Sequence, residues 1–466
     1  MLNEDRLFPA EPSVRKLARQ LYGDVKDLPI LSPHGHTDPR WFAENRPFEN
    51  PAQLFVTPDH YVFRMLHSQG ISLGSMGIPN ANGERTEADP RKIWRLFAEN
   101  FYLFRGTPSR IWVEHAFQEV FGISERLSAA TADSIYDQLD DCLGRDEFKP
   151  RALFDRFNIE ALATTESPLD DLKWHSKVRD SDWVGNVITA YRPDAVIDPD
   201  FEGFVDNVAK FGELTGEDTS TWSGYLAAHR VRRTFFKAFG ATSSDHGHPS
   251  ARTEDLSQGV ASALFEKVLS CKCTRDEADM FRGQMLTEMA RMSLDDELVL
   301  QIHPGASRNH SKNIAAKFGS DMGYDIPTRT DYVSALRPLL NAVGDRSELT
   351  IVVFTLDEST FSRELAPLAG VYPALKLGPP WWFLDSYEGM LRFRELATET
   401  AGFYNTVGFN DDTRAFCSIP ARHDVARRVD CSFLAQLVST GRLNEDEAAE
   451  VAYDLTYRLA KQAYRL

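Results

Sequence analysis

Apolar and polar positions follow two different rhythms along this chain, and the change between them divides it. Residues 12–23 carry a helical pattern that leads into a four-residue apolar run, Leu28-Pro29-Ile30-Leu31, which reads as a short buried strand. From about residue 39 to residue 157 apolar residues recur at three and four, over 59–66, 90–104, 109–121 and 131–148, with Pro90 and Ser109 as helix starts. No second strand is predicted before Asn158. Beyond it, short apolar runs fall at 159–164, 184–190, 240–245, 297–302, 349–354, 372–377 and 403–409, interleaved with helical patterns such as 201–211, 222–239, 275–292, 332–343, 386–398 and 421–438.

With the run at 28–31 this makes eight strands, and strands alternating with helices imply parallel pairing by right-handed crossovers. Eight such units predict an α/β fold, a (β/α)8 TIM-type barrel distorted by a helical insertion after its first strand. Residues 1–38 and 158–466 would form the barrel, and 39–157 the mostly helical insertion or subdomain. A doubly wound open sheet is the alternative. Neither a G-x-G-x-x-G after the first strand nor a phosphate-binding G-x-x-x-x-G-K-[ST] is present, which removes the usual support for nucleotide binding.

Composition narrows the function. Apolar residues at 42% and charged residues at 26% describe an ordinary globular protein, and no stretch is apolar for long enough to span a bilayer. The acidic start, Met1-Leu2-Asn3-Glu4-Asp5-Arg6, lacks the basic and apolar regions of a signal peptide. A net charge of −17 repels phosphate backbones, so nucleic acid is a poor partner, and an anionic substrate would need a local arginine cluster. Five cysteines without a C-x-x-C pair fit a reducing cytoplasm.

In a barrel the carboxyl ends of the strands gather at one face, where active sites sit. Here the first strand runs into His34-Gly35-His36, the third into Tyr191-Arg192-Pro193-Asp194 and the fourth into Ser244-Asp245-His246-Gly247-His248. The fifth ends in Gln301-Ile302-His303, with Arg308 beyond, and the eighth in Asn410-Asp411-Asp412-Thr413-Arg414. Imidazoles and a carboxylate suit Zn2+ or a similar divalent ion with a coordination position left open. His34, His36, His303 and Asp412 are the candidate ligands. Asp411 and Asp412 compete for the role, because alternation points them in different directions, and one is expected to cap a helix or pair with a cation.

Several motifs then resemble the metal-dependent amidohydrolase superfamily and, more closely, its uronate (glucuronate) isomerase family. They are His34-x-His36, Pro58-Asp59-His60-Tyr61-x-x-Arg64, Ser244-Asp245-His246-Gly247 and Gln301-Ile302-His303 with Arg308-Asn309. To these are added Gly378-Pro379-Pro380-Trp381-Trp382 with Asp385, and Asp412-x-Arg414 followed by Arg422-His423. The resemblance spans nearly the whole chain and implies interconversion of aldose and ketose uronates, D-glucuronate with D-fructuronate and D-galacturonate with D-tagaturonate. Hydrolytic members of the superfamily often carry a lysine or other bridging residue at the fourth strand end and a histidine at the sixth. Here Ser244-Asp245 and Phe354-Thr355-Leu356-Asp357 stand there, so one metal ion rather than two is expected.

Isomerisation requires that a proton leave the carbon beside the aldehyde, that an enediol form, and that a proton reach the former carbonyl carbon. Asp412 is the expected base, with cationic neighbours stabilising the oxyanion. By resemblance, Tyr61 and Arg414 pass the proton between the two oxygens. Arg192 and Arg308, supported by His60, are candidates for the substrate carboxylate, since a planar guanidinium binds it bidentately. Trp381 offers an apolar face to the sugar. Each has an ordinary alternative: core packing for Tyr61 and Trp381, salt bridges for the arginines. A metal-dependent hydrolase and a non-catalytic sugar-acid-binding protein stay open as other functions, and a homo-oligomer is compatible with all three.

Overall fold

The computed structural model describes residues 2–466. Five of its helices start alike, with a side-chain acceptor followed at once by proline: Pro12–Val25, Pro39–Glu44, Pro51–Phe55, Pro90–Glu99 and Pro108–His115, capped by Glu11, Asp38, Asn50, Asp89 and Thr107. Each cap accepts a hydrogen bond from an otherwise orphaned N–H, and proline at the first helical position has no N–H to lose. At about 1 kcal/mol per cap, these starts pin the register of the five helices.

Seven strands form one curled parallel sheet, each beside its neighbour in sequence: β1 Ile30–Ser32, β2 Ile159–Glu166, β3 Val187–Tyr191, β4 Ser243–His246, β5 Val299–Ile302, β6 Ile351–Val353 and β7 Leu375–Leu377. All five residues of β3 are buried, as in a sheet covered on both faces. The third run starts three residues later than its apolar pattern suggests, since Val184 is 94% exposed. The eighth run contributes only a parallel bridge, Leu377 to Thr406. Its backbone turns too early for a ladder: Thr406 N–H bonds Phe403 O, and Gly408 takes a φ of +74°.

The gap between this eighth segment and β1 is filled from residues 454–466. At Gly408 a Cβ would stand 2.7 Å from the Leu455 carbonyl oxygen, so only glycine permits this approach. Ala460 packs with Leu31 and Ala161, Tyr464 bonds Gln301 Oε1 inside the barrel at 2.9 Å, and Asn410 Nδ2 donates to Tyr464 at 3.2 Å. At the rim, His36 N–H bonds Thr413 O at 3.0 Å. The result is a distorted (β/α)8-type barrel.

Every element between Pro39 and Arg156 is helical. These helices share one core with the barrel: Phe42, Phe55, Trp94 and Phe97 belong to the same buried cluster as Ile30, Ile159, Leu162 and Val187. That continuity fixes the helix His60–His67 in place. Among the described residues, no helix is long and apolar enough to cross a membrane.

Candidate active site

The four predicted ligands come together. Asp412 Oδ1 lies 3.5 Å from His34 Nε2 and 3.2 Å from His36 Nε2, and the His34 and His303 rings stack with centroids 4.8 Å apart. Two overlapping groups, His34–His36–Asp412 and His34–Asp245–His303, bring ligand atoms within 4.8 Å of one another. Of the two aspartates, Asp412 is the one beside the histidines, and its φ of +37° takes it out of simple alternation. Asp411 pairs with His423 Nε2 at 3.0 Å.

The donor set fits a divalent cation. His303 Nδ1 lies 2.6 Å from Asp245 Oδ1, so with Asp245 ionised the N–H sits at Nδ1 and the lone pair at Nε2. That Nε2 is buried with no hydrogen-bond partner among the described residues, and a histidine anchored by a carboxylate with its other nitrogen bare is the usual preparation of a metal ligand. Burial pushes the His36 and His303 rings down, toward the neutral form that coordinates. Burial alone would raise Asp412; the neighbouring His34, His36 and His303 more than reverse this and hold it below the ordinary carboxylate range.

Behind His303 runs a chain of charges. Burial of Asp245 is likewise overcome, by Arg192, His34 and His303, which keep it well below the ordinary range. Arg192 Nη1 donates to Asp245 Oδ2 at 3.0 Å and Nε to Asp194 Oδ2 at 2.8 Å. Asp194 Oδ1 in turn accepts from Gly247 N–H at 3.3 Å. The order Asp194, Arg192, Asp245, His303 thus leads directly to the ligand cluster.

The remaining predicted residues divide into two groups at the mouth. Asp59 caps the helix His60–His67 by accepting from Tyr61 N–H at 2.8 Å, which presents His60 and Tyr61. Tyr61 meets Trp112 edge-on at 5.4 Å, and the Arg422 guanidinium sits 5.4 Å from the Tyr61 ring and 3.6 Å from that of Trp112. Arg422 and Asp385 form a buried pair, yet burial outweighs the arginine and pushes Asp385 up to about 6. His60 stacks on Tyr61 at 4.6 Å, and burial, with Arg414 nearby, pushes its ring down to about 3.

Arg308 and Arg414 form the outer group. Arg308 Nη1 is 3.1 Å from Asp325 and its guanidinium lies 5.0 Å from the Trp382 ring; Arg414 Nη2 is 3.6 Å from Asp321. Trp381 is buried and meets the His303 ring at 4.7 Å, so it forms a wall behind a ligand, while Trp382 stands beside Arg308. Asp321 escapes sequence reasoning as a functional element, and so does the pairing that joins Asp194, Arg192 and Asp245, although all three residues stand in the strand-end motifs. Their one signal is position, just past strand ends or on the long excursion after β5.

The comparisons agree with this geometry. The family model described as glucuronate isomerase matches residues 12–464. The uronate isomerase of Rhizobium meliloti (strain 1021) is 64% identical over 466 residues, covering 100% of this chain and 99% of the relative. Among solved structures, glucuronate isomerase from Caulobacter crescentus superposes with a TM-score of 0.98 at 58% identity, covering 100% of this chain and 97% of that one. Uronate isomerase from Thermotoga maritima gives a TM-score of 0.92 at 30% identity over 100% and 99% of the two chains. With barrel, ligand cluster and match running the length of the molecule, the chain belongs to the glucuronate isomerase family.

Proposed function

We propose that the protein interconverts aldose and ketose uronates, D-glucuronate with D-fructuronate and D-galacturonate with D-tagaturonate. The observation that carries this is the position of Asp412: ionised, buried, and facing three imidazoles, beneath a mouth lined by Arg308, Arg414, His60 and Tyr61. His34, His36, His303 and Asp412 would hold one divalent ion, with zinc the choice that suits three imidazoles and a carboxylate. When bound, it supplies positive charge beside the reacting oxygens.

Asp412 takes the proton from the carbon next to the aldehyde and returns it to the former carbonyl carbon. Its low proton affinity keeps it ready at neutral pH but makes it a weak base, so the enediol oxyanion must be stabilised by the surrounding cations. Tyr61 carries the hydroxyl proton between the two substrate oxygens, and Arg414 orients them. Burial, only partly offset by Arg422, raises the Tyr61 hydroxyl, which keeps it a proton donor. Arg308 and Arg192, with His60, receive the substrate's carboxylate and neighbouring oxygens, and Trp381 backs the pocket. All five cysteines are free thiols, in keeping with a reducing cytoplasm.

The test is to incubate metal-loaded protein with D-glucuronate in D2O and follow the sugar by NMR. D-Fructuronate is expected, with some deuterium at the migrating position. Binding without turnover would replace the isomerase by a sugar-acid-binding protein, and cleavage of a lactone or amide by a hydrolase.

A further inference from the structure

The excursion after β5 carries two acidic residues that meet arginines in different ways. Its base is an antiparallel ribbon, Ala306–Ser307 with Ile326–Pro327, and His310 N–H bonds Tyr324 O at 2.8 Å. Asp325, 3% exposed, accepts from Arg308 Nη1 at 3.1 Å and from Asn309 N–H at 2.7 Å. That pair is built into the arm. Asp321 is different: its side chain is 48% exposed, and it lies 3.6 Å from Arg414 Nη2 and 3.9 Å from Arg308 Nη1, beyond hydrogen-bonding range of both. Burial alone would raise its carboxyl, yet Arg414, Arg308, His60 and His36 together lower it. These are the groups that face the proposed uronate. Asp321 also holds a φ of +61°, a backbone state that asparagine and aspartate tolerate best and that here keeps the carboxylate turned toward the arginines.

We propose that Asp321 is an internal stand-in for the substrate's carboxylate, occupying the anion position between Arg308 and Arg414 in the empty enzyme and yielding it when a uronate binds. Its loose geometry suits this role. A half-exposed pair at 3.6–3.9 Å is worth little, so a bidentate substrate carboxylate displaces it, whereas a neutral sugar has nothing to gain by doing so. Arg308 keeps its bond to Asp325 throughout, while Arg414 faces Asp321 until a ligand that brings its own negative charge takes that place. Asp321 is in this sense a specificity-determining residue, acting by competition.

This inference rests on the uronate reading, and the experiment separates the two. Asp321→Asn and Asp321→Gly both accept the positive φ while removing the charge, so both should fold. In metal-loaded protein the KM for D-glucuronate and the calorimetric Kd for D-glucarate, a diacid with no carbonyl to isomerise, should fall together by up to about fivefold, with kcat within about twofold. D-Glucitol, which has no carboxylate, should show no gain. Weaker or unchanged D-glucarate binding in both variants, with wild type still turning over D-glucuronate, overturns the stand-in and leaves the isomerase intact. A wild-type protein that neither binds nor converts uronates overturns both.

Discussion

Gly247→Ala tests the chain of charges behind His303 by pressing on Arg192, without replacing any residue proposed to meet substrate. A Cβ at this position would clash with Arg192 Nη2 and stand 3.4 Å from Arg192 Cζ and 3.0 Å from Asp194 Oδ2. The tip of an arginine ordinarily moves aside at little cost, but this one is held on both sides, by Asp194 at 2.8 Å and Asp245 at 3.0 Å. Reaching an ordinary contact of ~3.5 Å takes a displacement of about 1 Å, which stretches at least one of those bonds beyond ~3.5 Å. Asp245 is wholly buried, and breaking a buried ion pair costs up to about 3–5 kcal/mol, less here because His303 still pairs with it. A misplacement of about 1 Å at a reacting centre is worth up to ~10²-fold. We therefore expect kcat/KM for D-glucuronate to fall roughly 10- to 100-fold, that is about 1.4–2.7 kcal/mol, with a folded protein by thermal melt and circular dichroism. Activity within about twofold of wild type, at equal metal content, would refute the idea that Arg192 must be held in register for His303 to work.

Two further variants address other parts of the molecule. Asp412→Asn keeps the shape and an oxygen ligand but removes the base, so turnover should drop at least ~10²–10⁴-fold in a folded protein; near-normal activity with metal content unchanged would exclude Asp412 as the base. Glu166, at the end of β2, bonds the Thr164 and Thr189 hydroxyls, and burial, against those bonds, pushes it up from 4.5 to about 7. Between these values the folded protein binds more protons than the unfolded chain, so this group's stabilisation is present below pH 4.5 and is lost as pH rises through 7. His175, 3.8 Å away, is pushed by burial down to about 4 and stays neutral over the upper part of that range. Glu166→Gln should accordingly gain about 2 kcal/mol over wild type between pH 5 and pH 8 in denaturant titrations, and a difference that does not change with pH would contradict this.

What the sequence revealed and what it hid follow from how each feature is encoded. His34, His36 and His303 were legible because short apolar runs locate strand ends, and the barrel brings strand ends together whatever the loops do. The choice between Asp411 and Asp412 was not, because alternation assumes an extended backbone and Asp412 has a positive φ. The eighth strand read as well as the others, since Val407 and Phe409 are buried; that it fails to form a ladder depends on Gly408 meeting Leu455, a contact between segments that no local pattern records. Asp321 looked like any of the 69 acidic residues, and Asp194 and Asp245, though they stand in strand-end motifs, gave no sign of their shared partner Arg192 until long-range pairing brought them together.

The closure of the barrel also sets a timetable for its making. Leu31 in the first strand shares its packing with Ala460, a partner separated from it by most of the chain. A ribosome adding about 5–20 residues per second delivers that partner about 20–90 s later. Throughout that interval the helical stretch that follows β1 can begin to condense around its own aromatic residues, while one edge of the sheet stands open with its backbone groups unclaimed. Such an edge is a template for the wrong strand. For the nascent protein the dangerous surface is therefore the flank of β1, and whatever guards that flank in the cell has to keep guarding it until the segment around Ala460 has been made.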